Sequence, residues 1–117
     1  MTKRRVLVVD DNPDQIQTLA VLLRESGHRV ECATSALFAL TLAREFKPEF
    51  VFLDIGMPQM DGYEAVRRFR SAFPDARMFA ITGRSGEEAH RKSIDAGFEA
   101  HLVKPLDVAV VESILEH

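Results

Sequence analysis

Five polar residues in this chain follow short apolar runs: Asp10 and Asp11 after Val6–Val9, Asp54 after Phe50–Leu53, Thr82 after Met78–Ile81, and Lys104 after Leu102 and Val103. Three carboxylates gathered in one place repel one another unless a cation joins them. An all-oxygen acidic cluster with open positions suits a hard divalent ion, Mg²⁺ above all, with Mn²⁺ as a substitute. Mg²⁺ keeps several waters and can also hold a phosphoryl oxygen. Lys104 adds a mobile point charge and Thr82 a hydroxyl donor. Together these groups make a place where a phosphoryl group can lie in line with a carboxylate nucleophile. Taken singly, each residue has an ordinary reading. An aspartate after a strand caps a helix, a lysine before proline is a solvated loop residue, and a strand-end threonine bonds the backbone. The joint placement is what points to a site. Asp61 is not counted, because beside Gly62 it reads as a helix start.

The elements between these residues must do the positioning. Val6–Val9 reads as a strand covered on both faces. Asn12 and Pro13 read as an N-cap and first helical residue, and Ile16, Leu19, Ala20 and Leu23 mark one helix face that Gly27 ends. Arg29–Ala33 is a second strand, and Ser35 opens a helix with Ala36, Ala39, Leu40 and Ala43 inward. Pro48 separates that helix from the strand Phe50–Leu53. A loop from Gly56 to Gly62, containing Pro58, leads to a helix with Tyr63, Val66, Phe69 and Phe73 inward, broken by Pro74. After the strand Met78–Ile81, Ser85 and Glu88 have the spacing of a capping box for a fourth helix. Its inward face is thin, mainly Ala89 and Ala96 with Ser93 between. Gly97 ends it, His101–Val103 is a fifth strand, and Asp107 caps a last short helix. Strand and helix thus alternate five times, which predicts an α/β fold: a three-layer, doubly wound, five-stranded parallel sheet in the order 2-1-3-4-5. Strands one and three are then neighbours about 4.8 Å apart, and the carboxylates crowd one crevice at the strand ends.

Composition narrows the rest. A chain of 117 residues holds one domain, and 46% hydrophobic with 28% charged residues is enough for a core without metal or disulfide staples. No apolar run is longer than that of Ala36–Leu40, which falls far short of the roughly 18 residues of a membrane span, so no membrane insertion is expected. No charged-then-apolar leader precedes the first strand, and the single cysteine, Cys32, fits a reducing compartment; a cytoplasmic location is the expectation. A net charge of −3 argues against nucleic-acid binding by this domain through bulk electrostatics. The closing Leu115-Glu116-His117 resembles the start of a histidine-tag scar, which would bound the domain at residues 1–114.

At this point four stretches resemble a known family, the receiver domain of bacterial two-component response regulators. They are Val6-Leu7-Val8-Val9-Asp10-Asp11-Asn12, Asp54-Ile55-Gly56-Met57-Pro58-Gln59-Met60-Asp61-Gly62-Tyr63-Glu64, Ala80-Ile81-Thr82-Gly83 and Leu102-Val103-Lys104-Pro105. The stretch Ala96–Pro105 is similar to receivers attached to hybrid histidine kinases or standing alone. The resemblance implies a flavodoxin-like fold and a phosphorelay role in which Asp54 accepts a phosphoryl group from a phosphohistidine. It implies that Asp11, Asp54 and the Gly56 backbone carbonyl bind Mg²⁺ directly and Asp10 through water. Lys104 and Thr82 would engage the phosphoryl group, and a cis peptide would precede Pro105. Such a domain is not a conventional enzyme, but it assists its own phosphorylation and dephosphorylation. Its partners would be a histidine kinase or phosphotransfer protein and a downstream protein reading the helix 4, strand 5 and helix 5 face, with Thr82 and His101 as switch residues.

Several positions depart from the common pattern. His101 stands where Tyr or Phe is frequent, Gly56 offers no side chain to shield the phosphoryl group, and Arg84 would be close enough to cover it. Phe38 falls opposite the inward face of its helix, where a lone aromatic is either ordinary surface or a contact. Three other readings compete. A haloacid-dehalogenase-like phosphatase wants a second Asp two residues after its nucleophile, where Gly56 stands. A flavodoxin-like FMN binder would repel phosphate with Asp10, Asp11 and Asp14. A degenerate receiver acting only as a binding module would not need the intact set of Asp10, Asp11, Asp54, Thr82 and Lys104.

Overall fold

Strand and helix alternate along the whole chain: β1 (Arg5–Val9), α1 (Pro13–Glu25), β2 (Arg29–Ala33), α2 (Ala36–Phe46), β3 (Phe50–Asp54), α3 (Gly62–Ala72), β4 (Arg77–Thr82), α4 (Glu87–Ala96), β5 (Ala100–Val103) and α5 (Val108–Leu115). The computed structural model describes residues 3–57, 61–83 and 86–117. The strands form one parallel sheet in the order β2-β1-β3-β4-β5. This is the expected doubly wound fold.

The two-residue period of the strands divides the core. Val6, Val8, Phe50, Phe52, Phe79 and Ile81 face α1 and α5, which contribute Ile16, Leu19, Leu23, Val111 and Leu115. Leu7, Val9, Val51, Leu53, Met78 and Ala80 face α2 and α3, which contribute Ala36, Ala39, Ala43, Val66 and Phe69. Because β1, β3 and β4 are covered on both faces, their sequences read as unbroken apolar runs. Phe79 stacks between Phe50 and Phe52 at centroid distances of 6.1 and 5.2 Å, which fixes the α1/α5 side of the sheet centre.

Local capping follows the sequence at four helices. Asn12, Ser35, Asp61 and Asp107 each accept a bond from a backbone N–H in the first turn. Helix α4 differs. Its N-cap is Gly86, at φ 125° and with no side-chain cap bond, one residue after the expected Ser85, which lies outside the described residues. A positive φ is a conformation glycine adopts without steric cost, and it starts the helix where a serine was expected to. Only Ser93 of α4 is fully buried, and its Oγ donates to the Ala89 carbonyl at 3.1 Å, so the helix has little apolar grip on the sheet.

The edge of the sheet opposite Asp54 is tied by a polar cluster. His28 is buried, and its Nδ1 accepts the Arg4 backbone N–H at 3.1 Å. The proton of a neutral ring therefore sits on Nε2, which donates to Glu112 Oε2 at 3.2 Å. Arg4 Nε donates to the carbonyl of Leu115, a residue fully buried at the end of α5. We expect His28→Ala to lower stability by about 2–3 kcal/mol, because it leaves a backbone donor and a carboxylate unpaired. Urea unfolding measures this, and a change below about 0.5 kcal/mol would contradict it.

Candidate functional site

Strand register carries the polar residues to one edge. Val9 pairs with Leu53, which sets Asp10 level with Asp54; Asp54 pairs with Ile81, and Thr82 with Val103. The Asp10 backbone N–H donates to Ala33 at 3.0 Å and so continues the ladder one residue past β1. Side-chain alternation then sorts the set onto two faces, a division not drawn from the sequence. Asp10, Asp54 and Lys104 fall on the α1/α5 face with Val8, Phe52 and Leu102, whereas Thr82 and His101 fall on the α4 face with Ala80.

The contacts agree with that division. Lys104 Nζ lies 2.9 Å from Asp10 Oδ2 and 2.9 Å from Asp54 Oδ2. Its strand is two spacings, about 10 Å, from β3, a gap that a long cationic side chain spans and a short one does not. On the other face, the ring of His101 meets that of His90 on α4. The Lys104–Pro105 peptide is cis, as the resemblance implied.

Asp10 and Asp54 are only 1% and 5% exposed, while Asp11 stands at the surface. Asp10 Oδ1 accepts the Asn12 N–H at 3.0 Å, so both its oxygens are engaged; Asn12 was read only as a cap. Asp54 Oδ1 accepts the Gly56 N–H at 2.8 Å. Among the described residues, no hydrogen bond or ion pair engages Asp11. Burial pulls the Lys104 ammonium toward deprotonation, but hydrogen bonds and charge from Asp54 and Asp10 outweigh it and hold its pKa above the ordinary lysine value. Thr82 is buried at the end of β4. Arg84, expected near the phosphoryl group, and Pro58, expected in the loop after Asp54, lie outside the described residues.

The donor set fits a hard dication. One oxygen from each of Asp10, Asp11 and Asp54 lies within 4.8 Å of the others. Oxygens on an octahedral Mg²⁺ stand roughly 2.9 Å apart when adjacent and 4.2 Å when opposite, so small side-chain adjustments suffice.

Gly62 sets the floor of this edge. A Cβ there would fall 2.6 Å from Ile55 Cα and 2.7 Å from Ile55 Cβ, so only glycine lets the start of α3 pack on the turn that follows Asp54. Gly62→Ala is expected to cost about 1–3 kcal/mol in urea unfolding, despite the better helix propensity of alanine. An increase in stability would contradict the packing argument.

The chain matches the family model described as response regulator receiver domain over residues 6–116. It is 37% identical over 109 residues to the transcriptional regulatory protein PrrA of Mycobacterium tuberculosis, a match covering 93% of this chain and 47% of PrrA. The chain thus spans about half the length of the curated relatives it matches. Among solved structures it is similar to a response regulator protein from Burkholderia pseudomallei with a phosphorylated aspartic acid, calcium ion and citrate (TM-score 0.85, 32% identity, 97% of this chain and 65% of that one). It is also similar to the CheX-CheY-BeF3-Mg²⁺ complex from Borrelia burgdorferi (TM-score 0.85, 26% identity, 96% of this chain and 86% of the matched chain). On its sequence and its fold alike, the chain belongs to the response regulator receiver domain family of two-component systems.

Proposed function

We propose that the chain is a phosphorelay acceptor that takes a phosphoryl group onto Asp54 from a phosphohistidine of a histidine kinase or phosphotransfer protein. The observation that carries this reading is the single ammonium of Lys104 held 2.9 Å from both buried carboxylates, beside an exposed third. In the transfer an Asp54 oxygen attacks phosphorus, the P–N bond breaks, and its electron pair leaves on the imidazole nitrogen. Lys104 follows from the carboxylate to a phosphoryl oxygen while Asp10 keeps hold of it. Thr82 donates its hydroxyl to the same group from the α4 face. Asp11, Asp54 and the Gly56 carbonyl would hold Mg²⁺ directly and Asp10 would hold it through water, and the ion would supply charge neutralisation for the incoming phosphoryl oxygens. The same residues would assist hydrolysis of the acyl phosphate.

The product replaces one carboxylate with a group of nearly two negative charges. Thr82 and Lys104 gain contacts in that state alone, which biases the weakly held α4 together with β5 and α5 toward a surface read by a partner protein. The relatives named above include a phosphorylated aspartic acid with a divalent ion, and a complex with BeF3, Mg²⁺ and a second protein; both support this reading. Donor and reader are proteins in the cytoplasm, with neither nucleic acid nor membrane bound by this domain. Among the described residues, no helix is long and apolar enough to cross a membrane.

Incubation with phosphoramidate, a small P–N donor, tests the reading. The expected product is a hydroxylamine-labile phosphoprotein that forms only with Mg²⁺, with altered hydrogen exchange in α4. Formation without a divalent ion would count against it, and so would steady phosphate turnover on general esters, which would favour the phosphatase.

A further inference from the structure

The sheet ends in two edge strands. β5 belongs to the face assigned above to a reader protein, whereas β2, at the other end, pairs with β1 alone. The Arg29 N–H donates to the Arg4 carbonyl, and the Ala33 carbonyl accepts the Asp10 N–H. Residues 29, 31 and 33 thus turn their peptide groups toward β1, and Val30 and Cys32 turn theirs outward. One outward group is covered. Arg24, in the last turn of α1, donates to the Val30 carbonyl from Nη2 at 2.7 Å and from Nε at 3.3 Å. A charged side chain laid over an edge carbonyl guards against strand addition.

The register that Arg24 blocks is the one the charges favour. Consider β2 paired antiparallel with a second copy about a two-fold axis through Val30. The two Val30 residues then exchange N–H···O bonds, and Arg29 lies opposite Glu31 of the second copy, twice. Moving the axis by one residue sets Glu31 against Glu31 instead, a repulsive pair. Arg29 and Glu31 are both exposed, and among the described residues no ion pair engages either. Apolar side chains flank the same edge. Val21, three residues before Arg24 on α1, is 45% exposed. Phe38 of α2 is 54% exposed and shares a helix row with Leu42 and Phe46, whose ring carries the Arg29 guanidinium at 5.8 Å. α1 packs over β1 and β2, so strands about 4.8 Å apart across the axis would bring α1 and its copy to roughly 10 Å, an ordinary interhelical distance.

We propose that the β2 edge is a self-association surface for a second copy of this chain, held shut by Arg24. When the guanidinium leaves the Val30 carbonyl, the two sheets join across the axis, with the reciprocal Arg29–Glu31 pairs fixing the register. The ladder is short, so the contact is weak and reversible. It lies at the opposite end of the sheet from β5, so the α4, β5 and α5 face stays free. The proposal does not rest on the phosphorelay reading.

Sedimentation velocity of the full chain over a concentration series tests it. Arg24→Met and Arg24→Gln each remove the guard, and Arg24 is exposed, so circular dichroism of both should match the parent. Self-association is expected to be about tenfold or more tighter in both variants than in the parent. Adding Glu31→Arg, which sets arginine against arginine across the axis, should abolish the gain, and Arg29→Glu on top of it should restore association by swapping the charges. Labelling of Asp54 by phosphoramidate should be unchanged in the Arg24 variants. Variants no more associated than the parent, association that survives Glu31→Arg, or a charge swap that fails to restore it would each overturn the proposal.

Discussion

Asp54→Ala is expected to accept no phosphoryl group above background, from phosphoramidate or from a phosphorylated kinase, while remaining folded. Asp54 is the carboxylate whose two oxygens meet the Gly56 N–H at 2.8 Å and the Lys104 ammonium at 2.9 Å. Donors are thus already aimed at the group on which negative charge increases. Of the other two carboxylates, Asp10 is the more deeply buried, at 1% exposed against 5% for Asp54, and Asp11 lies at the exposed rim. The variant keeps the Asp10–Lys104 pair, so the pocket stays charge-compensated and circular dichroism should match the parent. Its stabilisation by Mg²⁺ should shrink, since one of three acidic ligands is gone. Radiolabel on the variant equal to that on the parent would move the acceptor elsewhere.

Lys104→Met is expected to lower stability, and the size of the loss should depend on Mg²⁺. Removing the ammonium leaves two buried carboxylates facing each other without their cation. Breaking a buried pair from one side costs about 3–5 kcal/mol, and the open edge of this pocket reduces that to about 2–3 kcal/mol. Mg²⁺ should restore most of the loss and should stabilise the variant more than the parent, because in the parent Lys104 already neutralises part of the cluster. The pH dependence has a fixed sign. The folded pKa of Lys104 is raised above its ordinary value of 10.5, so its contribution is fully present below that value and is lost as pH rises through the folded pKa. The parent should therefore lose stability on the alkaline side along a limb that the methionine variant lacks. Urea unfolding with and without Mg²⁺, at neutral and alkaline pH, reads both effects. A methionine variant as stable as the parent without Mg²⁺ would contradict the electrostatic account. The variant should still take phosphate on Asp54 but lose the response of α4, because the ammonium that distinguishes phosphate from carboxylate is absent.

Much of this site was legible in the chain because each functional group ends an apolar run. A fully buried parallel strand must stay apolar until it leaves the core, so the first polar residue after Val9, Leu53 or Ile81 marks the strand end, whereas Lys104 follows the partly exposed edge strand β5, where the order of the elements marks it. Helix starts at Asn12, Ser35, Asp61 and Asp107 were legible for an equally local reason, a side chain able to accept a first-turn N–H. The start of α4 was not, because Ser85 and Glu88 carry a generic capping signal and the backbone turns at Gly86 through a positive φ. The bonds joining Arg4, His28, Glu112 and Leu115 were out of reach for another reason. They link positions 24 to 111 residues apart, and no local pattern encodes them. That Thr82 and His101 occupy the face opposite Asp10, Asp54 and Lys104 follows from strand alternation once the register is known.

The most direct measurement of the central claim is to trap the acyl phosphate chemically. Borohydride reduces an aspartyl phosphate to homoserine, which peptide sequencing by mass spectrometry locates to a single residue. After incubation with donor and Mg²⁺, homoserine is expected at position 54 alone, and at no position when the divalent ion is withheld. Homoserine at position 10, 11 or 61, or at position 54 with no divalent ion present, would contradict the account.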